Sequence, residues 1–103
     1  MAFLAKIVVD LSGGCELLFG KQARHVLEAV VPSGATVADL VRILKGPQYL
    51  KERPEQFLDP TGESLRPGIL VLVNDVDAEV LGGMEYVLED GDTVEFVSTL
   101  HGG

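Results

Sequence analysis

From residue 3 to residue 11, apolar side chains at Phe3, Ala5, Ile7, Val9 and Leu11 alternate with Leu4, Lys6, Val8 and Asp10. That is the period of a half-buried strand. Gly13 and Gly14 then permit a turn. A second β-rich stretch, residues 26–31, is stopped by Pro32-Ser33-Gly34, so the two strands read as a hairpin. The loop between them, residues 15–24, carries an apolar patch of its own, Leu17-Leu18-Phe19. Next, Thr36 precedes Val37, Leu40, Val41 and Leu44, spaced i, i+3, i+4, i+7, with Asp39 three residues after the cap and Gly46-Pro47 beyond the last turn. This pattern predicts a capped helix.

Pro54, Pro60 and Pro67, with Asp59, Gly62 and Gly68, make residues 51–68 mostly loop, with one short turn around 55–58. Residues 69–73, Ile-Leu-Val-Leu-Val, are apolar on both faces, which predicts a strand in the middle of a sheet. Asn74-Asp75 gives a turn, residues 79–88 hold a short strand or an irregular segment, and Asp90-Gly91-Asp92 turns the chain into a last strand over 93–98. The order β-β-α-β-(β)-β predicts an α+β fold: a β-grasp, or ubiquitin-like, roll with one main helix packed on a mixed four- to five-stranded sheet. The helix supplies the crossover that a parallel strand pair needs. Residues 1–98 read as this domain and residues 99–103 as a flexible C-terminal reactive tail. Ile7 and Val9 are expected to face the helix with Val94 and Phe96. Val8, Leu70, Leu72 and Val97 then face outward as a candidate partner surface.

Composition narrows the function. The chain has 103 residues, 47% of them hydrophobic, enough for one core. Mean hydropathy is positive, +0.27, but no apolar run approaches the ~20 residues of a membrane span. The N-terminus, with Lys6 and Asp10, lacks a signal peptide's long apolar core. One cysteine, Cys15, allows no internal disulfide, and neither it nor the histidines show zinc-site spacing. A reducing compartment fits, the cytoplasm first and the nucleus second. The net charge is −8, with Lys6, Lys21, Lys45 and Lys51 scattered. This disfavours direct nucleic-acid binding and favours a partner with a basic surface.

Side-chain chemistry is sparse. Asp90 and Asp92 flank a glycine turn, and Asp75 and Asp77 follow Asn74 in another, as solvated turn residues do. His25 reads as a surface histidine and His101 as a tail residue, too isolated for a triad or a metal site. Cys15 reads as structural. No glycine-rich nucleotide loop is present. What stands out is Ser98-Thr99-Leu100-His101-Gly102-Gly103 after the last strand. Glycine lacks the Cβ that would obstruct a narrow channel, so two glycines form a thin probe. A free carboxylate is a weak electrophile, and coupling it to AMP, with ATP as the source, overcomes this. The chain would then be a macromolecular carrier of an activated acyl group.

The residues Gly13-Gly14 with Glu16-Leu17-Leu18-Phe19, then Leu50-Lys51-Glu52-Arg53-Pro54-Glu55 with Phe57, the run from Arg66-Pro67-Gly68 through Asn74-Asp75, Asp90 with Asp92, and the ending from Ser98 to Gly103 resemble the eukaryotic ubiquitin-related modifiers, the Urm-type sulfur carriers. The resemblance implies that an E1-like adenylyltransferase/sulfurtransferase activates Gly103 with ATP, and that its rhodanese domain replaces the adenylate to leave a thiocarboxylate. Thr99, Leu100, His101 and Gly102 would be the tail that this enzyme recognises. The sulfur would pass to a tRNA thiolation complex making 2-thiouridine at the wobble position, and the activated terminus could be joined to lysines of target proteins. The resemblance also implies that the chain itself binds no cofactor and is a substrate, not an enzyme. A sulfur carrier for thiamin or molybdopterin synthesis and a non-covalent β-grasp interaction module are the alternatives.

Overall fold

The computed structural model describes residues 3–99. Strand β1 (Leu4–Ser12) and strand β2 (Arg24–Pro32) form the expected antiparallel hairpin, with Val8 opposite Val26 and Asp10 opposite Arg24. The ladder slips between Ala5 and Ile7, where Lys6 faces a bulge in β2. Such a bulge bends a strand that lies at the sheet's edge. Between them, Cys15–Phe19 coils into a 3-10 turn that buries Cys15, Leu18 and Phe19, so the apolar patch in this loop is part of the core.

Helix α1 (Val37–Leu44) starts where the sequence places it. Thr36 Oγ1 accepts the Asp39 N–H at 3.2 Å, and the Asp39 carboxylate accepts the Thr36 N–H at 2.9 Å. Each side chain thus satisfies a main-chain donor at the helix start. These bonds hold the Asp39 carboxyl below its ordinary pKa. Val37, Leu40, Val41 and Leu44 are fully buried against the sheet.

Strands β3 (Ile69–Val73), β4 (Val76–Asp77) and β5 (Thr93–Ser98) complete a five-stranded sheet in the order β2-β1-β5-β3-β4. The central pair, β1 and β5, is parallel, and the remaining pairs are antiparallel. β3 therefore lies next to the edge, beside the two-residue β4, and not in the middle as its apolar run suggested. Val71 and Val73 are buried in the core and Ile69 packs against it, while Leu70 stands 38% exposed. Its second apolar face is a surface feature. Residues 79–88 are irregular: Ala78–Leu81 and Gly83–Glu85 are 3-10 turns, and Val37 N–H and Leu88 N–H tie this segment to α1 through the Tyr86 and Ala35 carbonyls.

Ile7, Val9, Val94 and Phe96 all point at the helix and are fully buried. Phe57, from the proline-rich loop, closes the open end of the core. Its ring meets Phe19 edge-on at 5.0 Å and Phe96 at 5.6 Å, a geometry that aligns the positive rim of one ring with the negative face of the next.

Candidate functional site at the root of the tail

Strand β5 is the middle strand, held by β1 on one side and β3 on the other up to Ser98. Two turns grip the chain as it leaves. On the β1 side, Gly13 sits at φ +67°, and a Cβ there would collide with the Ser98 carbonyl oxygen. On the β3 side, the Gly68 carbonyl accepts two hydrogen bonds from Thr99, one from its N–H at 3.0 Å and one from its hydroxyl at 2.6 Å. Thr99, assigned to the tail by sequence, is thus exposed yet hydrogen-bonded to the domain. Leu100, His101, Gly102 and Gly103 lie outside the described residues.

The outward sheet face was expected to gather Val8, Leu70, Leu72 and Val97. Leu70 lies directly opposite Val97, and Leu72 follows two residues along the same face. These three form a contiguous apolar patch beside the tail root. Val8 is also outward and half-buried, but it pairs with Val26 and Thr93. Thr93 and Val97 are four residues apart on β5, roughly 13 Å at about 3.3 Å per residue. The row Asp10–Glu95 lies between them. The structure therefore joins Leu70, Leu72 and Val97 and sets Val8 apart.

The titratable side chains serve the fold. The Cys15 thiol is buried, which pushes its pKa up to about 11; the Glu16 carboxylate adds to the rise and a hydrogen bond from the Ser98 backbone opposes it. It is a poor nucleophile at neutral pH, because the thiolate is the reactive form. His25 departs from the expected surface position. It is 9% exposed, its Nε2–H donates to the Gln22 carbonyl at 2.9 Å, and its ring packs edge-on against Phe19 and Tyr49.

Asp92, expected to be a solvated turn residue, is 5% exposed. Its Oδ1 accepts from the Asn74 amide at 2.9 Å, and its Oδ2 accepts from the Glu89 N–H at 2.8 Å and the Tyr86 hydroxyl at 3.3 Å. Asn74 returns a bond by accepting the Thr93 N–H. Burial, with the Asp92 charge beside it, raises the Tyr86 pKa. The signal for this clamp was the pairing of two turns, 74–75 and 90–92, at the same end of neighbouring strands.

A single helix laid across a mixed sheet with a parallel central pair, and a C-terminal extension leaving the middle strand, define a ubiquitin-like β-grasp protein. The family model for Urm1 (ubiquitin related modifier) matches residues 6–103. The chain is 47% identical over 105 residues to ubiquitin-related modifier 1 of Gallus gallus, with 100% of both chains covered. It superposes on the solution structure of Urm1 from Trypanosoma brucei with a TM-score of 0.80, at 60% identity and 100% coverage of both. A more distant likeness, TM-score 0.66 at 26% identity over 94% of this chain and 99% of the other, is to a chain in the crystal structure of the Amycolatopsis orientalis BexX/CysO complex. The chain belongs to the Urm1 family of ubiquitin-like modifiers and sulfur carriers.

Proposed function

We propose that the chain carries sulfur on its terminal carboxyl group, at Gly103, and delivers it for 2-thiolation of the tRNA wobble uridine. In this reading a Gly103 carboxylate oxygen attacks the α-phosphorus of ATP in an E1-like enzyme, and pyrophosphate leaves. A persulfide on that enzyme's rhodanese domain then attacks the acyl carbon through its outer sulfur and AMP departs with the bonding electron pair, leaving an acyl disulfide. A second thiol of the enzyme attacks the enzyme-side sulfur, forming an enzyme disulfide and releasing the terminus as a thiocarboxylate. The same acyl adenylate can be attacked by a lysine amine, which makes the chain a protein modifier. Leu100, His101 and Gly102 thread the enzyme's channel, and Leu70, Leu72 and Val97 rest against its surface, with Val8 at the margin. ATP belongs to the activating enzyme and tRNA contact to the thiolation complex. The cytoplasm, and secondarily the nucleus, is where this role places the chain.

One observation carries this reading: the family match runs through Gly102 and Gly103, which follow, after Thr99, Leu100 and His101, a middle strand whose end is gripped by Gly13 and Gly68. A held root, then Leu100 and His101, and two last residues without side chains suit insertion of a main-chain group into another protein's site. The test is restoration of wobble-uridine thiolation in cells lacking the native protein. The unaltered chain is expected to restore it, and a chain extended by one residue after Gly103 is expected to fail. Restoration by an extended chain that is not trimmed back would favour the non-covalent interaction module.

A further inference from the structure

The charge of this chain is divided unevenly along its length. All eight Lys and Arg residues, from Lys6 to Arg66, and eight of the sixteen acidic residues fall within the first 66 positions, which are therefore neutral. The other eight acids, Asp75, Asp77, Glu79, Glu85, Glu89, Asp90, Asp92 and Glu95, follow with no Lys or Arg among them, so the whole net charge of −8 arises after residue 66. Space repeats this division. The ion pairs among the described residues, Lys6–Glu28, Arg24–Asp10, Arg42–Asp39, Lys45–Glu63 and Arg53–Glu52, all lie between residues 6 and 63. Not one of the eight later acids has a cation partner among the described residues.

Part of this acidity holds the fold: Asp92 is buried, Asp90 accepts the Lys6 N–H, and Asp77 accepts the Glu79 N–H. Glu79 and Glu85 do not. Both are exposed on the 3-10 segments that cover the β3–β4 side of the sheet. Between those segments and β3 runs a groove of about 280 Å³ with Ile69, Val71, Ala78 and Met84 in its wall. Asp77, Glu79, Arg66 and Pro67 line it as well. Beside it Val80 is 78% exposed. Two of its lining residues, Pro67 and Ile69, flank Gly68, which holds Thr99, so the groove lies beside the point where the tail root is fixed.

We propose that this acidic edge, with the groove at its centre and Arg66 as the one cation in the groove's lining, is where the activating enzyme docks, through a lysine- and arginine-bearing surface with an apolar residue at its middle. The proposal rests on the carrier reading above. Two arguments select this occupant. A protein that accepts the tail must lie against the domain next to Gly68, beside the groove. An enzyme that binds ATP carries positive potential around the triphosphate, and that field attracts an acidic partner and repels a basic one. Unpaired carboxylates on the carrier lengthen the range of this attraction without the desolvation cost of buried pairs. The apolar wall then supplies contact area that screening by salt leaves intact.

The test is the initial rate of adenylation by the activating enzyme, followed by ATP–pyrophosphate exchange, with the full chain at several ionic strengths. Glu79→Lys with Glu85→Lys reverses two charges at the proposed surface. Glu28→Lys with Glu52→Lys reverses two at other exposed positions and changes the net charge equally. At low salt the first pair is expected to raise KM about tenfold with kcat nearly unchanged, and the difference should shrink as salt rises. The second pair should leave KM within about twofold. Thermal melting verifies that each variant is folded, and Glu79→Gln with Glu85→Gln gives a smaller effect of the same sign should the reversals perturb the turns. An unchanged KM for the Glu79 and Glu85 variants, or an equal rise for both pairs, overturns the docking surface while leaving the carrier function standing. Absence of exchange with the unaltered chain overturns the carrier function, and the docking proposal falls with it.

Discussion

The two ends of β5 are built in opposite ways. At its start, Asp92 is buried and accepts hydrogen bonds from Asn74, Tyr86 and Glu89. At its finish, Ser98 and Thr99 are held by backbone contacts with Gly13 and Gly68, and the residues that follow end in two glycines. The side chain that most resembles a catalytic acid is thus committed to closing a turn. The proposed reaction belongs to the main-chain carboxylate of Gly103. Reactive residue types are informative only with their surroundings, because burial and full hydrogen bonding convert an acid, a thiol or an imidazole into a structural part.

The sharpest way to break this contrast is to exchange stability effects between the two ends. Gly102→Phe should lower adenylation at least ~100-fold, because the side chain obstructs the channel and displaces the carboxylate by more than ~1 Å. Its melting curve should stay within about 0.5 kcal/mol of the parent. Asp92→Ala should do the reverse. It removes the acceptor of the Asn74 amide, the Glu89 N–H and the Tyr86 hydroxyl and should cost about 3 kcal/mol in urea unfolding, at ~1 kcal/mol for each part-buried hydrogen bond lost. Adenylation of the folded fraction should be unaltered.

A smaller effect is expected at the helix start, where Thr36→Ala removes one half of a reciprocal cap and should cost about 1 kcal/mol, with no change in activation. The smallest concerns Cys15. Its folded pKa of about 11 lies above the ordinary thiol value, so folding favours the protonated form. That contribution is fully present below the unfolded thiol's pKa and is lost as pH rises towards 11. Thermal melting of the parent should therefore fall more steeply over this alkaline range than that of Cys15→Ala. Alkylation at neutral pH should require unfolding. Rapid alkylation of the native protein would show that the thiol is not held as described.

Much of the fold is legible in local pattern. The alternation before Gly13, the spacing of Val37, Leu40, Val41 and Leu44, and the Thr36/Asp39 cap each depend on near neighbours, and the structure reproduces them. The errors share a cause. The position of β3, the burial of His25 and the burial of Asp92 depend on which distant segment covers a residue, and that follows from strand order. An apolar run cannot report whether its second face is covered, and β3 leaves Leu70 open. The grouping of Leu70, Leu72 and Val97 without Val8 likewise required the register of β5. The charge division was legible in the sequence, since every cation precedes Pro67, but a net charge summed over the whole chain conceals it.

The most direct test of the carrier function is the intact mass of the unaltered chain after incubation with the activating enzyme, ATP and a sulfur donor. The expected product gains the mass of one sulfur in place of one oxygen, passes through an AMP adduct when the sulfur donor is withheld, and localises to Gly103 on fragmentation. An unchanged mass, with an enzyme that activates another family member under the same conditions, would contradict the assignment of this chain as a carrier activated at its terminus.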